Sequence, residues 1–111
     1  MSYEFITTDQ VDRVAIITLN RPEVLNALSL GLTTEVDQAI TEMEADEGVG
    51  AIVITGSGDR AFSAGADIHE NRENTPEQRQ AGSVARAEYT WHLATAMKPV
   101  IGGVNGLCYG G

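Results

Sequence analysis

Two short apolar runs, Ala51-Ile52-Val53-Ile54-Thr55 and Val100-Ile101-Gly102-Gly103-Val104, flank a long stretch of helical periodicity. A strand that is apolar at consecutive positions has no polar face to turn to water, so it reads as covered on both sides, as in a parallel sheet. Parallel neighbours need a crossover, most often a helix. The two runs therefore predict an α/β architecture with right-handed connections.

The rest of the chain supplies the partners. Tyr3 to Thr8 and Val14 to Leu19 predict a β-hairpin, with Asp9-Gln10-Val11-Asp12 as its turn and Asn20-Arg21-Pro22 as its stop. Ser29 predicts an N-cap, and Leu32, Val36, Ile40 and Met43 fall on one helical face, with Glu35, Asp37, Glu42 and Glu44 directed elsewhere. Ala61-Phe62-Ser63 predicts a short extended piece, followed by a helical turn after Asp67. A second long helix has a strong start signal, with Thr75 as cap, Pro76 at the first position and Gln78 closing a capping box. Val84, Ala87, Trp91 and Ala94 are its predicted buried stripe, and Lys98-Pro99 ends it.

Composition narrows the function. A chain of 111 residues allows one compact domain. Its 16 acids against 7 bases give a net charge of −9, which disfavours a partner made of nucleic acid. The imbalance is local: residues 1–70 hold 13 acids and 3 bases, and residues 71–111 hold 3 acids and 4 bases. An anionic ligand meets least repulsion in that final third. Cys108 is the lone cysteine, so no internal disulfide forms and no cysteine cluster binds zinc; a reducing, cytoplasmic setting is expected. Residues 1–4 show no leader pattern, and no apolar run approaches the roughly 20 residues of a membrane span.

Two segments can carry chemistry. In Phe62-Ser63-Ala64-Gly65-Ala66-Asp67-Ile68 the small residues let a ligand reach the backbone, and Asp67 can cap the turn that follows. Val104-Asn105-Gly106 with Gly110-Gly111 offers a second unobstructed main chain. Two N–H donors from separate junctions can share an oxyanion, each worth roughly 3 kcal/mol to the transition state. Ala61-Phe62-Ser63-Ala64-Gly65 also approximates a nucleophile elbow, which would recruit Ser63 with His92 and Asp67. His69-Glu70 lacks the second histidine of a zinc helix, because residue 73 is Glu73. Gly56-Ser57-Gly58 lacks the ending of a phosphate-binding loop.

Asn20-Arg21-Pro22 with Asn26-Ala27-Leu28, then Gly50 to Gly56, then Phe62 to Ile68, then Lys98-Pro99-Val100-Ile101 and Val104-Asn105-Gly106 with Gly110-Gly111, resemble the crotonase superfamily of enoyl-CoA hydratases and isomerases in order and spacing. The resemblance implies an α/β fold, a crotonase-like spiral of ββα units, of which this single domain of residues 1–111 makes the N-terminal part, truncated after the second glycine of the oxyanion hole. It implies an acyl-CoA thioester substrate of fatty acid metabolism whose enolate is stabilised by the N–H groups of Ala66 and Gly111. CoA contacts are implied at Glu23, Val24 and Leu25 and along Ala64, Ala66, Asp67, Ile68 and His69, with Glu23 and His69 standing where members often carry a basic residue. Coenzyme A enters only as part of the substrate, and no permanently bound cofactor is implied. The acid and base glutamates lie after the glycine run, so these residues alone are expected to be an incomplete enzyme. A homo-oligomer, a trimer or dimer of trimers, is implied as well. The alternative is a non-catalytic fragment that binds CoA thioesters or associates with another subunit through uncovered apolar sheet.

Overall fold

The computed structural model describes residues 2–111; Met1, at the head of the segment read for a leader, lies outside the described residues. Strands β1 (Ile6–Val11), β2 (Val14–Leu19), β3 (Ala51–Gly56) and β5 (Val100–Gly103) form one sheet in the order β1-β2-β3-β5. β1 pairs antiparallel with β2, whereas β2, β3 and β5 run parallel. Two short strands, β4 (Ala61–Ser63) and β6 (Leu107–Cys108), form a second parallel pair. The helices are α1 (Leu30–Ala45), α2 (Ile68–Glu73) and α3 (Pro76–Thr95), and a 3-10 turn covers Pro22–Val24.

The predicted hairpin is present with its turn displaced. Asp9, Gln10 and Val11 belong to β1, and the reversal is confined to Asp12 and Arg13. Asp12 takes φ 54, a left-handed conformation that aspartate tolerates. β1 is an edge strand exposed along most of its length, so polar residues suit it.

Burial on both faces of the central strands is corrected. Ala15, Ile17 and Leu19 of β2 share a face with Ile52 and Ile54 of β3, and α1 covers it with Leu32, Val36, Ala39 and Ile40. Tyr89, Leu93 and Val100 pack against the same core. Both long helices thus cover one face of the sheet. On the other, Val14, Val53 and Ile101 are half-buried or exposed, with Ile101 at 53%. The apolar run is still apolar on both sides, but only one side is covered.

The helix starts are as the sequence predicts. Ser29 Oγ accepts from Leu32 N–H at 3.1 Å, and Thr75 and Gln78 exchange both capping-box hydrogen bonds. The buried side of α3 is the opposite of the predicted one. Val84, Ala87, Trp91 and Ala94 all face outward, Trp91 being 71% exposed. Ala85, Tyr89, His92 and Leu93 face the body of the protein. α3 is apolar on two sides, and polar partners on α1 decide between them. Asp37 Oδ1 lies 2.6 Å from His92 Nδ1, and Glu44 Oε1 bonds His92 Nε2. Glu44 also accepts from Met97 N–H at 2.8 Å, and Lys98 Nζ donates to the carbonyls of Met43 and Asp46 at the end of α1.

Candidate functional site

The two glycine-bearing junctions run side by side. The β4/β6 pair aligns Ala61 with Leu107 and Ser63 with Cys108, and Tyr109 N–H continues it by donating to Ser63 carbonyl at 3.0 Å. Gly65 has φ +87, and a Cβ there would sit 2.7 Å from Tyr109 carbonyl and 3.2 Å from Gly110 Cα. Only glycine meets both demands, the positive φ and the backbone-to-backbone approach. The close contact brings the next residues, Ala66 and Gly111, to the wall of one cleft.

On the other side of the loop, Leu28 and Ala66 form an isolated parallel bridge. Its hydrogen bonds run from Leu28 N–H to Gly65 carbonyl, 2.7 Å, and from Asp67 N–H to Leu28 carbonyl, 3.3 Å. Backbone N–H directions alternate along an extended segment, so the Ala66 N–H points away from Leu28. Asp67 then caps α2, accepting from Glu70 N–H at 3.1 Å, and pairs with Arg21 Nη1 at 3.0 Å. Burial works against the ionised form of Asp67. The Glu70 N–H, the Arg21 guanidinium and the His69 N–H overcome it and hold the carboxyl below its ordinary value.

Among the residues implied for CoA, Leu25 and Ala64 are joined by an Ala64 N–H to Leu25 carbonyl hydrogen bond of 2.9 Å. Val24 is half-buried at the end of the 3-10 turn. Asp67 lines the cleft with Ala66 and Gly111. Ile68 and His69 are exposed on the first turn of α2, outside the residues that wall the cleft.

The serine-hydrolase arrangement is not assembled. Ser63 is 5% exposed, its hydroxyl donates to Asn26 carbonyl at 2.8 Å and accepts from Gly65 N–H at 3.1 Å. It serves the turn. His92 is held between Asp37 and Glu44 of α1, so the base the elbow would need is engaged elsewhere. Among the described residues, no group of three or more His, Cys, Asp and Glu side chains could hold a metal ion, and no helix is long and apolar enough to cross a membrane.

Two asparagines organise the loops of the candidate site. Asn26 is fully buried at φ 56; its Oδ1 accepts from Arg21 N–H, and its Nδ2 donates to Ala61 carbonyl at 3.1 Å. Asn105 Nδ2 donates to the carbonyls of Gly56 and Gly58, while its Oδ1 accepts from Gly56 N–H at 3.0 Å. Together they hold the loop between β3 and β4 to both flanking junctions. A lone asparagine carries no such signal in sequence, since the loop carbonyls it holds, Ala61 for Asn26 and Gly56 for Asn105, lie more than 30 residues away.

Cleft and fold together define an α/β protein in which two glycine-bearing main-chain loops meet at the wall of one cleft. The enoyl-CoA hydratase/isomerase family profile matches residues 9–111, and the chain belongs to that family. It is 45% identical over 107 residues to a probable mitochondrial enoyl-CoA hydratase of Dictyostelium discoideum, covering 95% of this chain and 37% of that protein. A probable enoyl-CoA hydratase of Rhizobium meliloti is also 45% identical, over 112 residues, covering all of this chain and 42% of the relative. Among solved structures, an enoyl-CoA hydratase/carnithine racemase from Magnetospirillum magneticum superposes with a TM-score of 0.89 at 30% identity, over 98% of this chain and 42% of that one. Enoyl-CoA hydratase from Bacillus anthracis gives 0.87 at 30% identity, over 93% and 40%. The fold is crotonase-like, and the chain spans about two-fifths of the length of these relatives.

Proposed function

We propose that the chain carries the thioester-binding part of an enoyl-CoA hydratase or isomerase, and that the N–H groups of Ala66 and Gly111 stabilise the negative charge that develops on the thioester oxygen. The observation that carries this reading is the backbone contact of Gly65 with Tyr109 and Gly110, which sets both residues on one cleft wall. Fixed main-chain donors need no reorganisation as charge builds up, and each is worth roughly 3 kcal/mol at the transition state. Coenzyme A takes part only as the carrier of the acyl group, with Val24, Leu25 and Ala64 to His69 as its contacts, and no other cofactor is invoked.

Proton transfer needs a positioned acid or base, worth about a hundredfold or more. The cleft carboxylates are already engaged: Asp67 with Arg21, and Glu70 with Leu30 N–H at 3.0 Å. We therefore assign this step to glutamates following the glycine run, as the family resemblance implies. Residues 1–111 alone should bind crotonyl-CoA without hydrating it. Vibrational spectroscopy of the bound thioester tests the donors directly. The carbonyl stretch should fall on binding to the wild type and to Ala66→Gly, which keeps the N–H, and should not fall in Ala66→Pro, which removes it. An unchanged shift in a folded Ala66→Pro chain, or clear loss of enoyl absorbance with the wild type, rejects the assignment.

A second reading, self-association, is favoured by the exposure of Trp91 and Ile101 on faces left uncovered among the described residues. A homo-oligomer, a trimer or dimer of trimers, is its expected form; a monomer at high concentration in sedimentation equilibrium rejects it. The lone Cys108 suits a reducing compartment, for which we propose the cytoplasm. The Dictyostelium relative is named mitochondrial, and fractionation of cells carrying the tagged chain decides between the two.

A further inference from the structure

One wall of the cleft has a chemistry that a simple enoyl chain does not call for. Arg79, Gly82, Arg86 and Tyr89 of α3 all line it, and spacings of three, four and three place them on one helical face. Tyr89 stands at the inner end, where it borders both this cleft and the apolar cavity that meets it at Gly111. At 1.5 Å per residue, Arg86 lies about 4.5 Å and Arg79 about 15 Å further along the axis. Gly82 leaves the space between them open, since a Cβ there would meet nothing nearer than Arg86 Nη2 at 4.0 Å.

The charges on the other walls are accounted for. Asp67 is paired with Arg21, and Glu70 faces the N-terminus of α1, where Leu30 N–H donates to it. Arg79 Nη1 donates to Asn74 carbonyl at 3.0 Å, which seats the guanidinium at the corner between α2 and α3. Among the described residues, neither Arg79 nor Arg86 forms an ion pair. Two guanidinium groups thus remain available along the cleft of a protein whose net charge is −9.

We propose that Arg79 and Arg86 form an anion subsite, which takes a negatively charged group of the ligand whose thioester lies against Ala66 and Gly111. The inference rests on the thioester reading above and adds the chemistry of the ligand's charged end. Guanidinium groups suit carboxylate and phosphate alike, so the anion comes from one of two places: a carboxylate at the far end of the acyl chain, or a phosphate of coenzyme A.

Calorimetric titration of the full chain, wild type, Arg86→Gln and Arg79→Gln, with crotonyl-CoA, glutaconyl-CoA and their 3′-dephospho forms separates these cases. Both arginines are exposed, so the substitutions should leave the thermal midpoint unchanged. If the acyl carboxylate is the anion, glutaconyl-CoA binding weakens about fivefold or more in the variants while crotonyl-CoA binding does not. If a phosphate is the anion, both thioesters weaken alike, and the dephospho forms are less sensitive. Either pattern supports the subsite. Affinities that do not depend on Arg79 or Arg86 for any of these ligands overturn it while leaving the thioester reading intact. Failure of the wild type to bind any of them overturns that reading and the subsite together.

Discussion

Arg21 Nη1 lies 3.0 Å from Asp67 Oδ2, and the same nitrogen donates to Ala27 carbonyl at 2.9 Å. One guanidinium therefore ties the segment after β2 to the cap of α2, across 46 positions of sequence. Asp67 faces both ways: one oxygen accepts from Arg21 and the other from Glu70 N–H.

Asp67→Ala removes the cap and the ion pair together. It should destabilise the chain by about 2 kcal/mol or more, and Asp67→Asn, which can still cap, by about half as much. The folded carboxyl titrates below its ordinary value, so its contribution is full above the normal carboxylate range and fades as pH falls through the lowered value. Urea unfolding of wild type and Asp67→Asn should show a gap that closes in acid; a gap independent of pH contradicts the ion pair.

Gly65→Ala sets a methyl group 2.7 Å from Tyr109 carbonyl at a positive φ. The conformation alone costs roughly 1–2 kcal/mol, and relieving the overlap must part the two junctions. Stability should fall by more than the conformational cost, and crotonyl-CoA binding should weaken with it. A variant that melts and binds like the wild type would mean the junctions are not in contact.

His92 gives an opposite pH signature. Hydrogen bonds from its ring to Asp37, then to Glu44, hold its pKa above the ordinary imidazole value, although burial opposes this. Because the folded pKa is raised, the stabilisation is fully present below the unfolded value and is lost as pH rises through the folded one. Thermal midpoints of the wild type should decline toward alkaline pH more steeply than those of His92→Gln. Parallel curves would sink the idea.

Trp91→Ala should change the stability of the dilute chain by no more than about 0.5 kcal/mol, because the ring is mostly in water. Ile40→Ala, at a fully buried position beneath the sheet, should cost about 2–5 kcal/mol. Chemical denaturation of the two variants checks the orientation of both helices. A large loss for Trp91→Ala that grows with protein concentration would instead place the ring in contact between copies.

The parts of the fold legible in sequence are those whose partners sit within a few residues. Ser29, Asp67 and Thr75 bond to N–H groups three positions ahead, so each cap is visible in its own neighbourhood. The residues proposed for the site are conspicuous for a different reason, since Ala66 and Gly111 follow short glycine-bearing runs that stand out from the rest of the chain. The hairpin turn lies later than its sequence suggests, because an edge strand tolerates the polar residues that also suit a turn.

By itself the sequence determined the α/β class, the capped helices and the family, and it marked the glycine-bearing loops of the candidate site, because these depend on local hydrogen bonding, periodicity and motif order. Only the tertiary structure decided which side of α3 turns inward, which face of the sheet is covered, and that Gly65 rests on Tyr109 and Gly110. Those outcomes depend on pairs such as His92 with Asp37, or Asn26 with Ala61, far apart in the chain. Periodicity can show that a helix has two apolar sides, but the free energy that chooses between them is set by what each side meets when the chain packs.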